Sequence, residues 1–135
     1  MGKSIESIEG IGPVYGQKLR DAGCASPAQL LKACAGRTGR RELADRTSIS
    51  EGVILRCVNM ADLFRIKGVA TQYAELLEAA GVDTVKELRN RNADNLVAKM
   101  LEVNRQKRLT RTVPGVKIVT GWIEQAKQLP TVVTY

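Results

Sequence analysis

Laid against itself at an offset of 58 residues, the chain repeats. Ile8 falls on Ile66, Gly10 on Gly68, Tyr15 on Tyr73, Leu19 on Leu77, Ala22 on Ala80, Gly23 on Gly81 and Leu30 on Leu88. An internal duplication constrains the fold more than any other feature here. Each copy predicts only short helices with one apolar face, and such helices bury that face by packing on one another. The expected organisation is a first repeat over 1–60 and a second over 61–135, packed on the first as one unit.

Each copy is built around a glycine-bearing turn that leads into a helix. The first runs Ile8-Glu9-Gly10-Ile11-Gly12-Pro13-Val14-Tyr15-Gly16 and the second Ile66-Lys67-Gly68-Val69-Ala70-Thr71-Gln72-Tyr73-Ala74. Glycine accepts positive φ and lets a foreign group approach the backbone with no Cβ in the way. Pro13 suits a first helical position, where its missing N–H is no loss. Such a turn is expected to leave the amides of Gly10, Ile11, Gly12 and Val14 pointing outward at a helix N-terminus. An anion, above all a phosphate, is the natural ligand of that arrangement. A tight turn between packed helices, with no ligand, is the alternative.

The remaining pattern is helical throughout. Gly23 has the position of a C-cap after a helix over Pro13–Ala22, and Ser26-Pro27 opens a helix whose face is Leu30, Leu31 and Cys34. A short basic helix follows around Arg40–Arg46, its charges balanced by Glu42 and Asp45. Ser48 and Glu51 have capping-box spacing before Ile49, Val53, Ile54, Cys57, Val58 and Ala61, which recur at three and four residues. In the second copy Thr84 and Glu87 repeat that spacing, and Asn92 opens a helix carrying Leu96, Val97, Met100, Leu101 and Val103. Pro114 starts the last helix, whose stripe is Ile118, Val119, Trp122, Ile123 and Ala126. Trp122 reads as a core anchor. The tail Thr131–Tyr135 is strand-like in composition and, lacking a partner strand, is expected to lie along the helices or fray. The fold class is therefore all-α, a compact bundle of short helices with brief connections.

The turns resemble the helix-hairpin-helix motif, whose pattern is an apolar residue, a spacer, Gly-apolar-Gly, three residues, a small residue and further apolar positions. Ile8, Gly10, Ile11, Gly12, Gly16 and Leu19 match it, as do Ile66, Gly68, Val69, Ala74, Leu76 and Leu77 in the second copy. The second copy has Ala70 where the motif prefers its second glycine, a Cβ expected to shift the local backbone, so the first turn is expected to dominate phosphate binding. Nearly the whole chain resembles an uncharacterised bacterial family of tandem helix-hairpin-helix proteins. The resemblance implies a pair of hairpins that straddles a DNA minor groove, each holding one strand's phosphates through its amides, with basic side chains adding contacts.

Charge agrees with a polyanionic partner. The formal net charge is +7, with 21 Lys and Arg against 14 Asp and Glu, and the summed field of such a chain concentrates polyanions around it. Lys18 and Arg20 follow the first turn, Arg65 and Lys67 flank the second, and Arg105, Lys107, Arg108, Arg111 and Lys117 form a run uninterrupted by acids. That run also reads as a solvated helix end whose cations suit the C-terminal dipole. With five aromatic residues in the chain, stacking on single strands is poorly supported, so duplex or branched DNA is the expected partner.

Enzymatic chemistry finds no support, since there is no histidine, no clustered pair of carboxylates and no C-x-x-C pair, and no metal or other cofactor is expected. Glu75, Glu78, Asp94 and Glu102 read as surface charge. Cys24, Cys34 and Cys57 read as small buried residues of a reducing cytoplasm, and no apolar run is long enough to serve as a signal peptide or membrane span. Two functions remain, a non-enzymatic, sequence-independent DNA binder and a protein-interaction module that self-associates or docks a partner through the apolar tail Val132–Tyr135.

Overall fold

A computed structural model describes residues 3–135. Among these residues all regular structure is helical. A 3-10 turn at Ile5–Ser7 precedes α1 (Pro13–Asp21), α2 (Pro27–Cys34), α3 (Arg37–Thr47), α4 (Glu51–Leu63), α5 (Thr71–Ala79), α6 (Val85–Arg89), α7 (Ala93–Lys107) and α8 (Val116–Gln128). The chain divides into two compact units, one gathering the described residues up to Asp62 with Val132–Tyr135, the other comprising Leu63–Thr131. Each follows one order: a turn, a helix, a short helix, then two longer helices.

In the first unit Pro13 occupies the first turn of α1, and the Ser26 hydroxyl caps α2 by accepting the Gln29 N–H at 3.2 Å. Leu30, Leu31 and Cys34 are buried as their spacing predicts. The cap of α4 differs from the predicted box. Ser48 is instead the left-handed end of α3, with φ 61°, and Ser50 accepts the Val53 N–H at 3.2 Å. Ser48 is needed to end one helix and so cannot begin the next. Ile5, Ile8, Leu19, Leu30, Ile49, Ile54 and Met60 form the centre of this core. All three cysteines are buried, and burial pushes the Cys34 thiol up to about 11 and raises Cys24 as well.

Arg40 and the C-terminal tail also pack on this unit. Arg40, at the start of the basic stretch, is 4% exposed. Its guanidinium donates to the carbonyls of Cys34 (3.1 Å) and Ala35 (2.9 Å), satisfying the end of α2, and to Thr134 O at 2.6 Å. The tail is docked rather than frayed. Thr134 N–H donates to Ala35 O at 2.8 Å, Val133 is buried, and the Tyr135 hydroxyl meets Asn59 Oδ1 at 3.3 Å. Backbone pairing to the end of α2 supplies the partner that composition alone does not reveal.

In the second unit Thr84 accepts the Glu87 N–H at 3.3 Å and Asn92 the Asn95 N–H at 3.0 Å, capping their helices as predicted, while the Glu87 carboxylate accepts from Arg91 rather than returning to Thr84 to complete a capping box. α7 buries Leu96, Met100 and Val103 but leaves Leu101 outside the core at 48% exposure. α8 starts two residues later than expected, at Val116, with Gly115 as its N-cap and Pro114 buried ahead of it. It buries Val119, Trp122, Ile123 and Ala126 but not Ile118, which is 53% exposed. Ile118 lies one position off the stripe set by Val119 and Trp122, about 100° around the helix. Arg89 donates to Leu129 O at 2.8 Å and Arg65 to Pro130 O at 2.9 Å, fastening the segment after α8 to its own unit.

Candidate nucleic-acid interface

Both glycine turns are tethered from below by their apolar residues. Ile8 and Ile11 are buried in the first unit, Ile66 and Val69 in the second. Between and after them Glu9, Gly10 and Gly12, and Lys67, Gly68 and Ala70, remain exposed. The alternation fixes the turn by its hydrophobic pins and presents its tip to solvent.

The backbone of the two turns is the same bond for bond. Ile11 N–H donates to Ile8 O at 3.1 Å and Val69 N–H to Ile66 O at 3.2 Å. Gly16 N–H reaches Gly12 O at 2.8 Å, and Ala74 N–H reaches Ala70 O at 2.9 Å. Gly10 and Gly68 have φ of +90° and +94°, the conformation for which glycine is required. Past the helices, Gly23 and Gly81 have φ of +90° and +97°, and Cys24 and Val82 donate back to Leu19 O and Leu77 O at 2.7 and 2.8 Å.

Two sequence expectations change here. The amides of Ile11 and Val69 do not point outward, because each closes the turn on the carbonyl three residues earlier. The outward donors of α1 are the N–H groups of its first turn, Val14 and Tyr15, for which helix geometry provides no carbonyl four residues back. Secondly, Ala70 does not shift the backbone. Gly12 has φ −87° and ψ −174°, Ala70 φ −90° and ψ 179°, and a Cβ built on Gly12 meets nothing within 4 Å. The second glycine of the pattern is extended backbone that any residue adopts, as the position before a proline requires in the first turn.

What covers the turns differs. In the first unit, Arg56 of α4 donates to Glu9 O at 2.7 Å, and its Nη1 would lie 3.0 Å from a Cβ at Gly10. Met60 Sδ accepts the Glu9 N–H at 3.4 Å. In the second unit, Gln125 of α8 serves Lys67 twice, accepting its N–H at 2.8 Å and donating to its carbonyl at 3.2 Å. Trp122 stands beside it, with Nε1 3.1 Å from a Cβ built on Gly68 and its ring tilted against Tyr73 at a centroid distance of 5.5 Å.

The cations divide accordingly. Lys18, on α1, is exposed one turn beyond Val14, itself 68% exposed, and so shares the face that begins at Gly12. Arg20 is paired with Glu6. α5 carries no cation, only Glu75 and Glu78. The second turn instead adjoins an open groove of about 570 Å³ lined by Lys67, Gly68, Tyr73, Pro114, Lys117, Ile118, Gly121, Trp122 and Gln125, with no carboxylate among them. Arg105, Lys107, Arg108 and Arg111 are exposed at the end of α7 and in the loop after it, and do not line this groove. That loop is ordered by Asn104, whose amide donates to Thr110 O and accepts the Thr110 N–H, each at 3.0 Å. Of the sequence-derived residues, the structure thus brings Lys67 and Gly68 together with Lys117. Arg56, Gln125 and the polar edge of Trp122 are additions, and no local pattern marks them, because each reaches its turn from a helix distant in sequence.

Among the described residues no group of three or more Cys, Asp or Glu side chains is placed to hold a metal ion, and no helix is long and apolar enough to cross a membrane. The architecture is that of an all-helical protein with two exposed glycine turns at helix starts. The chain belongs to the family described as Domain of unknown function (DUF4332), whose match covers residues 9–129 and so takes in the second turn and all of the first but Ile8. No curated protein and no solved structure matches the chain.

Proposed function

We propose that the protein is a non-enzymatic, sequence-independent DNA-binding protein that grips the phosphates of duplex or branched DNA through two helix-hairpin-helix elements, one per unit. The observation that carries this reading is the bond-for-bond likeness of two pinned turns, each exposed at its tip and opening a helix. Two copies of an anion-favouring backbone in a chain of net charge +7 match a polyanion with regularly spaced phosphates. In the first element the contacts come from Gly10, Gly12, Val14 and Lys18, with the Arg56 guanidinium seated against Gly10. In the second they come from Lys67, Gly68 and Ala70. Such contacts position a protein on DNA without reading bases.

The test is a binding titration with duplex, junction and single-stranded DNA across a salt series. With on the order of 4–6 phosphates neutralised, log K against log salt should slope near −4 to −5 on duplex DNA, with little dependence on sequence. Replacing Arg105, Lys107 and Arg108 together by Ala should flatten that slope by about 2–3 units if all three meet phosphate. The absence of duplex binding at about 100 mM salt, together with a mass that rises with concentration, would favour the interaction module instead. Support for that second reading no longer lies in the tail, whose Val133 is buried in its own unit, but in Val116 and Ile118, exposed at 40% and 53% on α8.

A further inference from the structure

We propose that the groove beside the second turn is a phosphate site in which Trp122 is a hydrogen-bond donor through its indole Nε1–H, flanked by the Lys67 and Lys117 ammonium groups. The residue is 3% exposed and is the single tryptophan of the chain. Here the ring packs on Tyr73 while the Nε1 edge faces Gly68, and this N–H opens onto the groove, where an indole donor ordinarily finds its acceptor outside the core. Gln125, which also lines the groove, accepts the Lys67 N–H through Oε1. Trp122 and Gly68 both line the groove, so the N–H is placed to donate to what enters it.

The lining specifies the ligand's charge. Two lysines and no carboxylate face the space, and the start of α5 lies immediately after Gly68. Gly68 keeps the indole edge open, since a Cβ there would sit 3.1 Å from Nε1 and φ is +94°. A volume of about 570 Å³ exceeds a bare phosphate, and Pro114 and Ile118 supply an apolar wall for the sugar attached to one. Two cations thus serve the turn whose helix, α5, carries none of its own. The inference rests on the DNA-binding reading only for the source of the phosphate, a nucleic-acid backbone rather than the free ion.

The experiment uses the full chain labelled with 15N, whose single indole Nε1–H gives one resolved signal, and titrates it separately with a mixed-sequence duplex and with inorganic phosphate. Duplex affinity is measured in parallel for wild type, Trp122→Phe and Lys117→Gln. The expected result is a downfield shift of the indole signal on adding duplex, about a tenfold loss of affinity for Trp122→Phe, and a salt slope shallower by about one unit for Lys117→Gln. A shift with inorganic phosphate but no duplex binding supports the site and overturns the DNA-binding reading. Duplex binding with an unmoved indole signal and both variants at wild-type affinity overturns the site and leaves DNA binding standing. No response to either titrant overturns both. Should Trp122→Phe prove misfolded by circular dichroism, the wild-type indole signal and Lys117→Gln, which is on the surface, decide the matter alone.

Discussion

The two turns share a backbone and differ in everything that rests on it. One is closed by a half-exposed arginine and a methionine from α4, the other by a buried tryptophan and a glutamine from α8. One opens a helix bearing Lys18 and Arg20, the other a helix bearing Glu75 and Glu78. The units also differ in total charge, with nine basic against seven acidic residues in the first and twelve against seven in the second. The same turn backbone is therefore compatible with different covering side chains where the apolar pins and the positive-φ glycine are kept. Position 12 and its counterpart 70 lie outside that requirement, because their backbone is extended.

The covers should be unequal in energy. Trp122→Ala removes a nearly fully buried indole and should cost about 3–5 kcal/mol in denaturant unfolding. Arg56→Ala, which loses a hydrogen bond to Glu9 O from a partly exposed side chain, should cost about 1 kcal/mol. Comparable losses would mean that the two turns are closed by equally strong devices, contrary to the structure.

The glycines sharpen the shared part. Gly10→Ala and Gly68→Ala should each cost about 1–3 kcal/mol, because a Cβ is strained at φ +90° and +94°. Gly12→Ala should change stability by no more than about 0.5 kcal/mol, since it reproduces the geometry already present at Ala70. A loss at Gly12 as large as that at Gly10 would show that the two turns do not share a backbone.

A smaller effect is expected in binding. Gly12→Val should weaken duplex affinity more than Ala70→Val, in protein shown by circular dichroism to be folded. The structure assigns the gap to Lys18 against Glu75 and Glu78 rather than to the backbone. A difference of electrostatic origin shrinks as salt rises, whereas one that persists at high salt would return the cause to local geometry.

The smallest effect separates the units by pH. Hydrogen bonding from Arg20 holds the Glu6 carboxyl below the usual carboxylate range, and the corresponding positions in the second unit hold Phe64 and Glu78. A depressed folded value means that the stabilisation is complete above the ordinary carboxylate pKa and lost as pH falls through the lowered one. The difference in melting temperature between wild type and Glu6→Gln should therefore be present at neutral pH and vanish in strong acid. A difference that does not change with pH would break the assignment.

Much of the fold is legible in the residues because its signals are local. Ser26, Thr84 and Asn92 cap the helices that their spacing predicts, and Leu30, Leu88, Leu96, Met100, Val119 and Trp122 are buried where helical periodicity places them. The failures are also local in origin. Ser48 and Ser50 compete for the same boundary, and only the geometry of the preceding helix end decides between them. Of the candidate interface, the exposed tips Gly10, Gly12, Gly68 and Ala70 were readable from the pattern, whereas the loss of the Ile11 and Val69 amides to the turn itself was not.

By itself the sequence determined the all-helical class and the two glycine turns, since these follow from φ preferences and from apolar spacing within about a dozen residues. Only tertiary structure decided what each turn faces. Arg56 is 47 positions from Glu9 and Gln125 is 58 from Lys67. The buried place of Arg40 likewise depends on the Thr134 carbonyl, 94 positions away. A hydrogen-bond donor on a helix carries no local mark of its acceptor when the two meet only after the chain has closed on itself. For that reason Trp122 reads in sequence as one more core residue, and the place of its polar edge beside Gly68 is apparent only in the fold.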